Sequence, residues 1–240
     1  MSQRNKSERA AALLAEQQRK ERARQFAIIG GVAAVVLLIG VLTWLAMSRD
    51  TTGGTVATNP GGTTDYAVVV GDADAPTTVT IYEDMQCPVC AQFEAGVADQ
   101  LAAAVDAGKV KVEYRIVSFL DRASTNEYSS RAANAAFAVS DQAGEKAFQA
   151  FHDLLFANQP AENGPGHEDA QLIAYAVEAG ADEASITPLI EDKAFEQYIV
   201  NATDQMSKNK VTGTPTVFID GKRIEGSPQD AVDAVLAAIG

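Results

Sequence analysis

The sequence predicts an α/β domain that carries an inserted helical block and is preceded by one transmembrane helix. Three observations support this prediction. A long apolar segment without charge lies near the N-terminus, strand and helix patterns alternate on both sides of residues 121–208, and those residues have only helical periodicity. The 240 residues leave room, beyond the apolar segment, for one domain with a substantial core.

The apolar segment, residues 26–48, is 23 residues long and has no charged side chain. At about 1.5 Å per residue, such a helix crosses a hydrocarbon core of roughly 30 Å. Residues 1–25 carry seven basic and three acidic side chains, so this tail should stay in the cytoplasm. We therefore predict a single-pass anchor in the cell membrane, with the rest of the chain extracytoplasmic. A cleaved signal peptide is the alternative, although its apolar region is usually only about 7–15 residues long.

Residues 49–64, rich in glycine and threonine, are predicted to form a flexible linker to one domain at 65–240. The whole chain has a formal net charge of −13, and the exported part is more acidic still because the tail is basic. Such a domain would repel nucleic acid and an anionic membrane surface. No nucleic-acid partner is therefore expected.

The domain is predicted to open with a strand–helix–strand unit. Apolar and β-branched residues indicate strands at Tyr66–Val70 and Thr77–Glu83. From Pro88 the apolar residues recur at helical spacing until Gly108, a typical helix stop, and Lys109–Val117 then alternates as a strand. The strands on either side of this helix are therefore expected to be parallel, with a right-handed crossover.

Residues 124–208 predict three to five helices, interrupted at ANQPAENGPGHED. His152 is expected on the polar edge of one of these helices, and His167 in a solvated loop. Beyond this block, Asp220-Gly221 between two short strands is a strong hairpin signal. Ser227, followed by a proline, predicts the N-cap of a last helix.

The two cysteines of the chain, Cys87 and Cys90, lie in the sequence YEDMQCPVCAQFE. Cys87 follows a predicted strand and begins a predicted helix, where unsatisfied N–H groups and the helix dipole favour a thiolate. Cys90 lies one turn into the helix and is expected to be less exposed. This predicts Cys87 as the nucleophile and Cys90 as the resolving thiol, with Pro88 suited to the first turn because it has no N–H to leave unpaired.

Two other uses of the cysteine pair are less consistent with the sequence. A purely structural disulfide would close a very short loop and would stabilise the fold little. A zinc site needs about four ligands, and the two histidines do not have the usual spacing of zinc ligands. No metal is therefore expected.

The second motif is VTGTPTVFIDG, in which Pro215 opens a strand that is expected to lie inside the sheet. A proline in an internal strand lacks its ladder donor, and a cis Thr214-Pro215 bond would resolve this conflict. The backbone of Thr214 would then face the cysteines, where it could pair with an extended substrate peptide.

Together, VTIYEDMQCPVC and VTGTPTVFIDG, separated by a helical block, resemble the DsbA-like branch of the thioredoxin superfamily, especially its membrane-anchored bacterial members. The resemblance covers roughly residues 64–240 and implies a thioredoxin fold with a helical insertion. By position it implies attack at Cys87, resolution by Cys90, a cis-proline at Pro215, and tuning of the redox potential by Pro88 and Val89.

The family's buried glutamate corresponds to Ile81 in this sequence. Glu83 or Asp84 is therefore expected to replace that glutamate as a proton relay for Cys90.

The resemblance also implies an extracytoplasmic thiol:disulfide oxidoreductase that forms disulfides in exported proteins. Its cofactor would be its own Cys87–Cys90 disulfide, and a quinone-linked membrane oxidase would be its reoxidising partner. The chain has no spare thiol for a covalent dimer, so a monomer is expected. Two alternatives remain open: a reductase or isomerase of the same fold, and a non-catalytic peptide-binding or chaperone module.

Overall fold

The computed structural model describes residues 59–240. The predicted basic tail, the predicted anchor and most of the predicted linker lie outside the described residues. Between residues 59 and 240, no helix combines the length and the apolar character needed to cross a membrane. The described part contains a six-stranded sheet and helices on both of its faces.

The strands and helices follow the predicted order, with one short strand added at the start. In chain order they are β1 (Thr63–Thr64), β2 (Ala67–Val70), β3 (Thr77–Glu83), α1 (Pro88–Asp106), β4 (Val110–Ile116), α2 (Tyr128–Ala157), α3 (Asp169–Glu178), α4 (Glu183–Glu191), α5 (Glu196–Lys208), β5 (Thr216–Ile219), β6 (Lys222–Arg223) and α6 (Pro228–Ile239).

The sheet has the strand order β1-β2-β4-β3-β5-β6. β3 and β4 are parallel and are joined by α1, as predicted, whereas the other neighbouring strands are antiparallel. Tyr82, near the end of β3, pairs with Thr216 at the start of β5. The segment that follows β3 and the segment that precedes β5 therefore meet at the same end of these two strands. This places the cysteine motif next to the proline motif.

The folded part begins earlier than the sequence indicated. Thr64 pairs with Ala67 of β2, and the N–H of Gly61 donates a hydrogen bond to the Asp141 carboxylate at 2.6 Å. Pro60 is buried. The last residues of the predicted linker thus belong to the domain, because two threonines are enough to extend the sheet edge.

The helical insertion consists of α2 to α5, within the predicted three to five helices. α2 runs for 30 residues and is kinked at Gly144, which has a positive φ of 78°. Only glycine adopts this conformation without strain. The predicted hairpin and cap are also confirmed: Asp220 and Gly221 both have positive φ, and Ser227 forms a capping box with Asp230.

β3 separates two cores because its side chains alternate between the faces of the sheet. Val79 and Ile81 are fully buried in the larger core, together with apolar residues of α1 and α2. Tyr82 points to the opposite face and packs in a smaller cluster with Val117 and Met206. Glu83, two residues beyond Ile81, shares the face of the larger core and is completely buried.

Candidate active site

Cys87 and Cys90 lie at the N-terminus of α1, directly beyond the C-terminal end of β3. Cys87 is the N-cap residue with extended backbone angles, and Pro88 is the first helical residue. Both thiols are free in this structure, and the relative exposure is 6% for Cys87 and 1% for Cys90. The strand-to-helix junction therefore gives the two thiols different environments.

Local hydrogen bonds stabilise the thiolate form of Cys87. The hydrogen bond with the Cys90 thiol has the largest effect and lowers the pKa of Cys87, whereas burial raises it. Hydrogen bonds with the Thr214 side chain and with the backbone N–H groups of Cys90 and Val89 also lower the pKa, which falls from 9.0 to about 6 in total. A large fraction of Cys87 is therefore ionised at neutral pH. This is the condition for a reactive thiol.

The Cys90 thiol behaves in the opposite way. Burial, together with the hydrogen bond and the charge of Cys87, raises the pKa of Cys90 well above its usual value. Cys90 therefore keeps its proton when Cys87 is ionised. The asymmetry matches the predicted division into a nucleophile and a resolving thiol.

The proline motif reaches the cysteines, as predicted. The Thr214-Pro215 peptide bond is cis, and the Cys87 thiol donates a hydrogen bond to the backbone oxygen of Thr214 at 3.4 Å. A cavity of about 170 Å³ opens between this segment and the start of α1, with Val89 on one side and Thr214, Pro215 and Thr216 on the other. A substrate chain lying there would be next to the Cys87 sulfur.

Asp84, one of the two predicted relay residues, holds the loop between β3 and α1 in place. Its carboxylate accepts hydrogen bonds from the N–H of Gln86 at 2.9 Å, the hydroxyl of Ser129 at 2.6 Å and the N–H of Leu120 at 2.8 Å. Burial nevertheless raises its pKa to about 6. With these donors occupying its oxygens, Asp84 links three segments of the chain and is a structural residue.

Replacing Asp84 by asparagine is expected to lower the free energy of unfolding by about 1–3 kcal/mol, because one backbone N–H would meet the side-chain NH₂ group instead of an accepting oxygen. The Asp84 pKa is higher in the fold than its ordinary 3.8, so its contribution to stability is complete below about pH 4 and is lost as the pH rises through about 6. Denaturant unfolding between about pH 4 and 8 should show that the stability difference between wild type and Asp84→Asn shrinks as the pH rises, because the other buried titrating groups affect both proteins. A difference that does not change with pH would contradict the raised pKa of Asp84.

Glu83, the other predicted relay residue, forms a buried ion pair with His152. Glu83 Oε1 lies 2.8 Å from His152 Nε2, and both side chains are at most 2% exposed. The expectation that His152 occupies the polar edge of a helix is therefore wrong. Burial alone would lower the pKa of His152, but the charge of Glu83 and hydrogen bonds to Asp153 and Glu83 raise it well above 6.5. His152 is thus a cation inside the core.

Glu94 is buried next to Glu83 and His152, and the sequence interpretation did not identify it. It lies on α1 four residues after Cys90, on the buried face of the helix with Phe93 and Val97. That spacing is the signal in the sequence: a glutamate at the i+4 position from a buried cysteine shares its side of the helix. Burial raises the pKa of Glu94 to about 8; the charge of His152 lowers this pKa by a smaller amount, and the charge of Glu83 raises it further.

Glu83, Glu94 and His152 form a cluster in which one polar atom of each side chain lies within 4.8 Å of the others. Three donor atoms of these types are potential metal ligands. They are one fewer than a closed zinc site uses, and the His152 nitrogen already bonds to Glu83. In this geometry Glu83 and His152 are hydrogen-bonded to each other, and Glu94 lies beside them in a cluster of buried titratable side chains.

Comparisons with known proteins agree with the observed fold. A family model described as Thioredoxin matches residues 63–238. The reduced disulfide bond oxidoreductase DsbG from Mycobacterium tuberculosis is 35% identical, with a TM-score of 0.61 over 72% of this chain and 88% of that one. Oxidised DsbA from the same organism is 34% identical, with a TM-score of 0.62 over 72% of this chain and 93% of that one.

Curated relatives include a longer protein in which the similar region is only a part. The serine/threonine-protein kinase PknE of Mycobacterium tuberculosis is 31% identical over 164 residues, which are 65% of this chain and 29% of the kinase. The chain thus matches less than a third of that relative.

Proposed function

The chain belongs to the thioredoxin family and is a DsbA-like thiol-disulfide oxidoreductase, and from this premise we propose that it forms disulfides in exported proteins through Cys87 and Cys90. The observation that carries the proposal is the opposite shift of the two thiol pKa values. A thiolate stabilised at Cys87 favours the reduced enzyme, so the enzyme's disulfide tends to pass to other proteins.

The proposed reaction begins with the Cys87–Cys90 disulfide. A substrate thiolate attacks the sulfur of Cys87, the enzyme disulfide breaks, and the Cys90 sulfur leaves as a thiolate that takes up a proton. A second substrate thiolate then attacks the substrate sulfur of the mixed disulfide, and Cys87 leaves as a thiolate. The substrate dithiol has lost two electrons and the enzyme pair has gained them.

Two features would position the substrate during this reaction. The Thr214 backbone, next to Cys87, would pair with an extended segment of the substrate, in the manner of an added strand. Val89 and Pro215 line the adjacent cavity and would contact the side chains of that segment. Pro88 is exposed beside Cys87, and with Val89 it would tune the redox potential.

The cellular setting of this proposal comes from the sequence. Residues 26–48 would anchor the protein in the cell membrane, with the enzyme domain on the extracytoplasmic side, where disulfides persist. Its substrates would be thiols of exported proteins, and a quinone-linked membrane oxidase would reoxidise it. It would act as a monomer.

The equilibrium reduction potential of Cys87–Cys90 tests the direction of electron flow. Titration of the full chain in detergent with glutathione is expected to give a value well above the roughly −270 mV of thioredoxin and toward the roughly −120 mV of DsbA. Cys90→Ser, which cannot form the internal bridge, is the control. A value at or below about −270 mV would contradict disulfide donation and would favour a reductase.

A further inference from the structure

The strap, which we define as residues 158–167 between α2 and α3, contacts the turn that carries the cysteines. Gln159, near the start of the strap, donates hydrogen bonds from its side-chain nitrogen to two backbone oxygens of that turn. Its Nε2 lies 3.1 Å from the oxygen of Met85 and 2.9 Å from the oxygen of Cys87. One side chain of the helical insertion therefore holds the backbone on both sides of Gln86.

The contact is reciprocal, because Gln86 holds the strap. The Gln86 side chain is completely buried, and its Nε2 donates to the backbone oxygens of Ala161 at 3.2 Å and Gly164 at 3.4 Å. Each of the two glutamines thus bonds to two carbonyl groups of the other's segment. Several hydrogen bonds that cross between two segments in both directions fix their relative position, as a precise site requires.

The strap is also fastened independently of Gln159, to the residues that lead into α2. The N–H of Thr125 donates to the oxygen of Gly164 at 3.4 Å. The side chain of Asn126 donates to the oxygen of Gly166 at 3.2 Å and accepts from the N–H of the same glycine at 3.0 Å. Loss of the Gln159 amide should therefore leave the strap in place, so that its effect on the cysteines can be measured separately.

Cys87 is held on every polar group of its backbone and side chain. Its N–H donates to the oxygen of Asp84 at 2.9 Å, its carbonyl accepts from the N–H of Ala91 at 3.2 Å and from Gln159, and its thiol bonds to Thr214. The carbonyl lies in one plane with the next peptide nitrogen. Rotation of this plane would change the direction of the carbonyl and would also move the first turn of α1 relative to the Cys87 sulfur.

From these contacts we propose that Gln159 is a positioning residue for thiol-disulfide exchange. Its amide fixes the direction of the Cys87 carbonyl and thereby keeps the N–H groups of Val89 and Cys90 directed at the Cys87 sulfur. This inference deepens the proposed function and rests on its chemistry at Cys87. The helical insertion thus contributes, through the backbone, to the reactivity of a thiol that belongs to the thioredoxin part of the chain.

The N–H groups that Gln159 would keep in place stabilise the thiolate. Hydrogen bonds from the Cys90 thiol, the Thr214 side chain and the backbone of Cys90 and Val89 lower the pKa of Cys87 to about 6, against the effect of burial. Such hydrogen bonds weaken steeply when their angles change. Without the Gln159 amide, the pKa of Cys87 should therefore rise toward its ordinary value of 9.0.

Gln159→Met tests this role, because methionine has a similar length and no N–H group. The pH dependence of alkylation of the reduced full chain with iodoacetamide, followed by mass analysis, reports the ionisation of Cys87. We expect the Cys87 thiolate to be about tenfold less favoured in this variant than in the wild type. The pH at which alkylation reaches half of its maximum rate should rise accordingly.

The rate of reaction with oxidised glutathione should change with pH in a way that a merely structural role would not produce. In this reaction the Cys87 thiolate attacks one sulfur of glutathione disulfide, and the other glutathione leaves as a thiolate. A thiolate that is tenfold scarcer is also about threefold more nucleophilic. Compared with the wild type, Gln159→Met should therefore react about threefold more slowly at about pH 5 and about threefold faster at about pH 9.

Two further variants separate the hydrogen bonds of Gln159 from other effects. Asn158→Leu is the matched control, because the neighbouring Asn158 amide donates to the oxygen of Leu154 at 2.9 Å, within the helical insertion. It should leave both pH profiles unchanged. Gln159→Lys keeps N–H donors on a side chain of similar length, and the pKa of Cys87 should stay at or below its wild-type value. Thermal melting of each reduced variant shows whether the fold is retained.

The outcomes distinguish the positioning role from the proposed function. Wild-type pH profiles in Gln159→Met, an equal change in Asn158→Leu, or a raised pKa of Cys87 in Gln159→Lys would overturn the positioning role. A lower melting temperature of Gln159→Met without a change in its pH profiles would also overturn it. A low reduction potential of the wild type would overturn disulfide donation but not the positioning role, because the Cys87 thiolate takes part in exchange in either direction.

Discussion

Cys87→Ser is expected to abolish thiol-disulfide exchange, whereas in Cys90→Ser the Cys87 thiolate is expected to attack a disulfide of another protein and to stop at the mixed disulfide. Cys87 has a lowered pKa and lies beside the Thr214 carbonyl, at the cavity where a substrate would approach. Cys90 is buried behind it and keeps its proton. A serine hydroxyl is not ionised at neutral pH and forms no disulfide, so the loss at Cys87 should be complete.

The measurement is the reaction of each reduced variant of the full chain with a substrate protein that contains a disulfide, with covalent complexes detected by non-reducing electrophoresis. The wild type should give reduced substrate and no lasting complex, because Cys90 attacks the mixed disulfide at Cys87 and releases the substrate. Cys90→Ser should give a complex that dithiothreitol releases, and Cys87→Ser should give neither product. A stable complex with Cys87→Ser would reverse the assignment of the two thiols.

His152→Leu is expected to produce the largest loss of stability among the substitutions considered, about 3–5 kcal/mol near pH 6. The histidine ring is buried and lies 2.8 Å from the Glu83 carboxylate. Leucine fills similar space but leaves a carboxylate inside the core without its cation. Such an unpaired buried charge is more unfavourable than the absence of both groups.

The loss should depend on pH in a defined direction. The pKa of His152 is higher in the fold than its ordinary value of 6.5, so its contribution is complete below about pH 6.5 and is lost as the pH rises through the folded pKa. The difference in unfolding free energy between wild type and His152→Leu should therefore be largest near pH 6 and smaller at alkaline pH. A difference that grew with pH would contradict a protonated His152.

Two variants control this experiment. Adding Glu83→Gln to His152→Leu removes the unpaired charge and should recover part of the stability. His167→Leu changes the other described histidine, which is partly exposed and bonds to the backbone of Asn158, and should cost much less. Urea unfolding of the reduced wild type and of the three variants gives the four free energies of unfolding. Equal losses for the two histidines would mean that burial of the ion pair is not the cause.

Much of this protein follows from local sequence patterns. The periodicity of apolar residues predicted the order of strands and helices, the hairpin at Asp220-Gly221 and the cap at Ser227, because each depends on residues close together in the chain. The position of Cys87 at a strand-to-helix junction also depends only on residues close to it in the chain. The link from the cysteines to Pro215 came from the predicted strand order and from a proline at the start of an internal strand, and the resemblance to the family agreed with it.

The sequence by itself therefore determined the order of strands and helices in the described residues and the pair of thiols, while the tertiary structure decided what surrounds those thiols. Glu83 and His152 are 69 residues apart in the sequence. The amphipathic pattern of a helix shows which face is buried, but it does not show which polar residue at the border of that face enters the core. Only packing of the helical insertion against the sheet brings His152 onto Glu83 and leaves Glu94 between that pair and a cavity. Burial changes a carboxyl group's pKa, and burial is a property of the assembled fold.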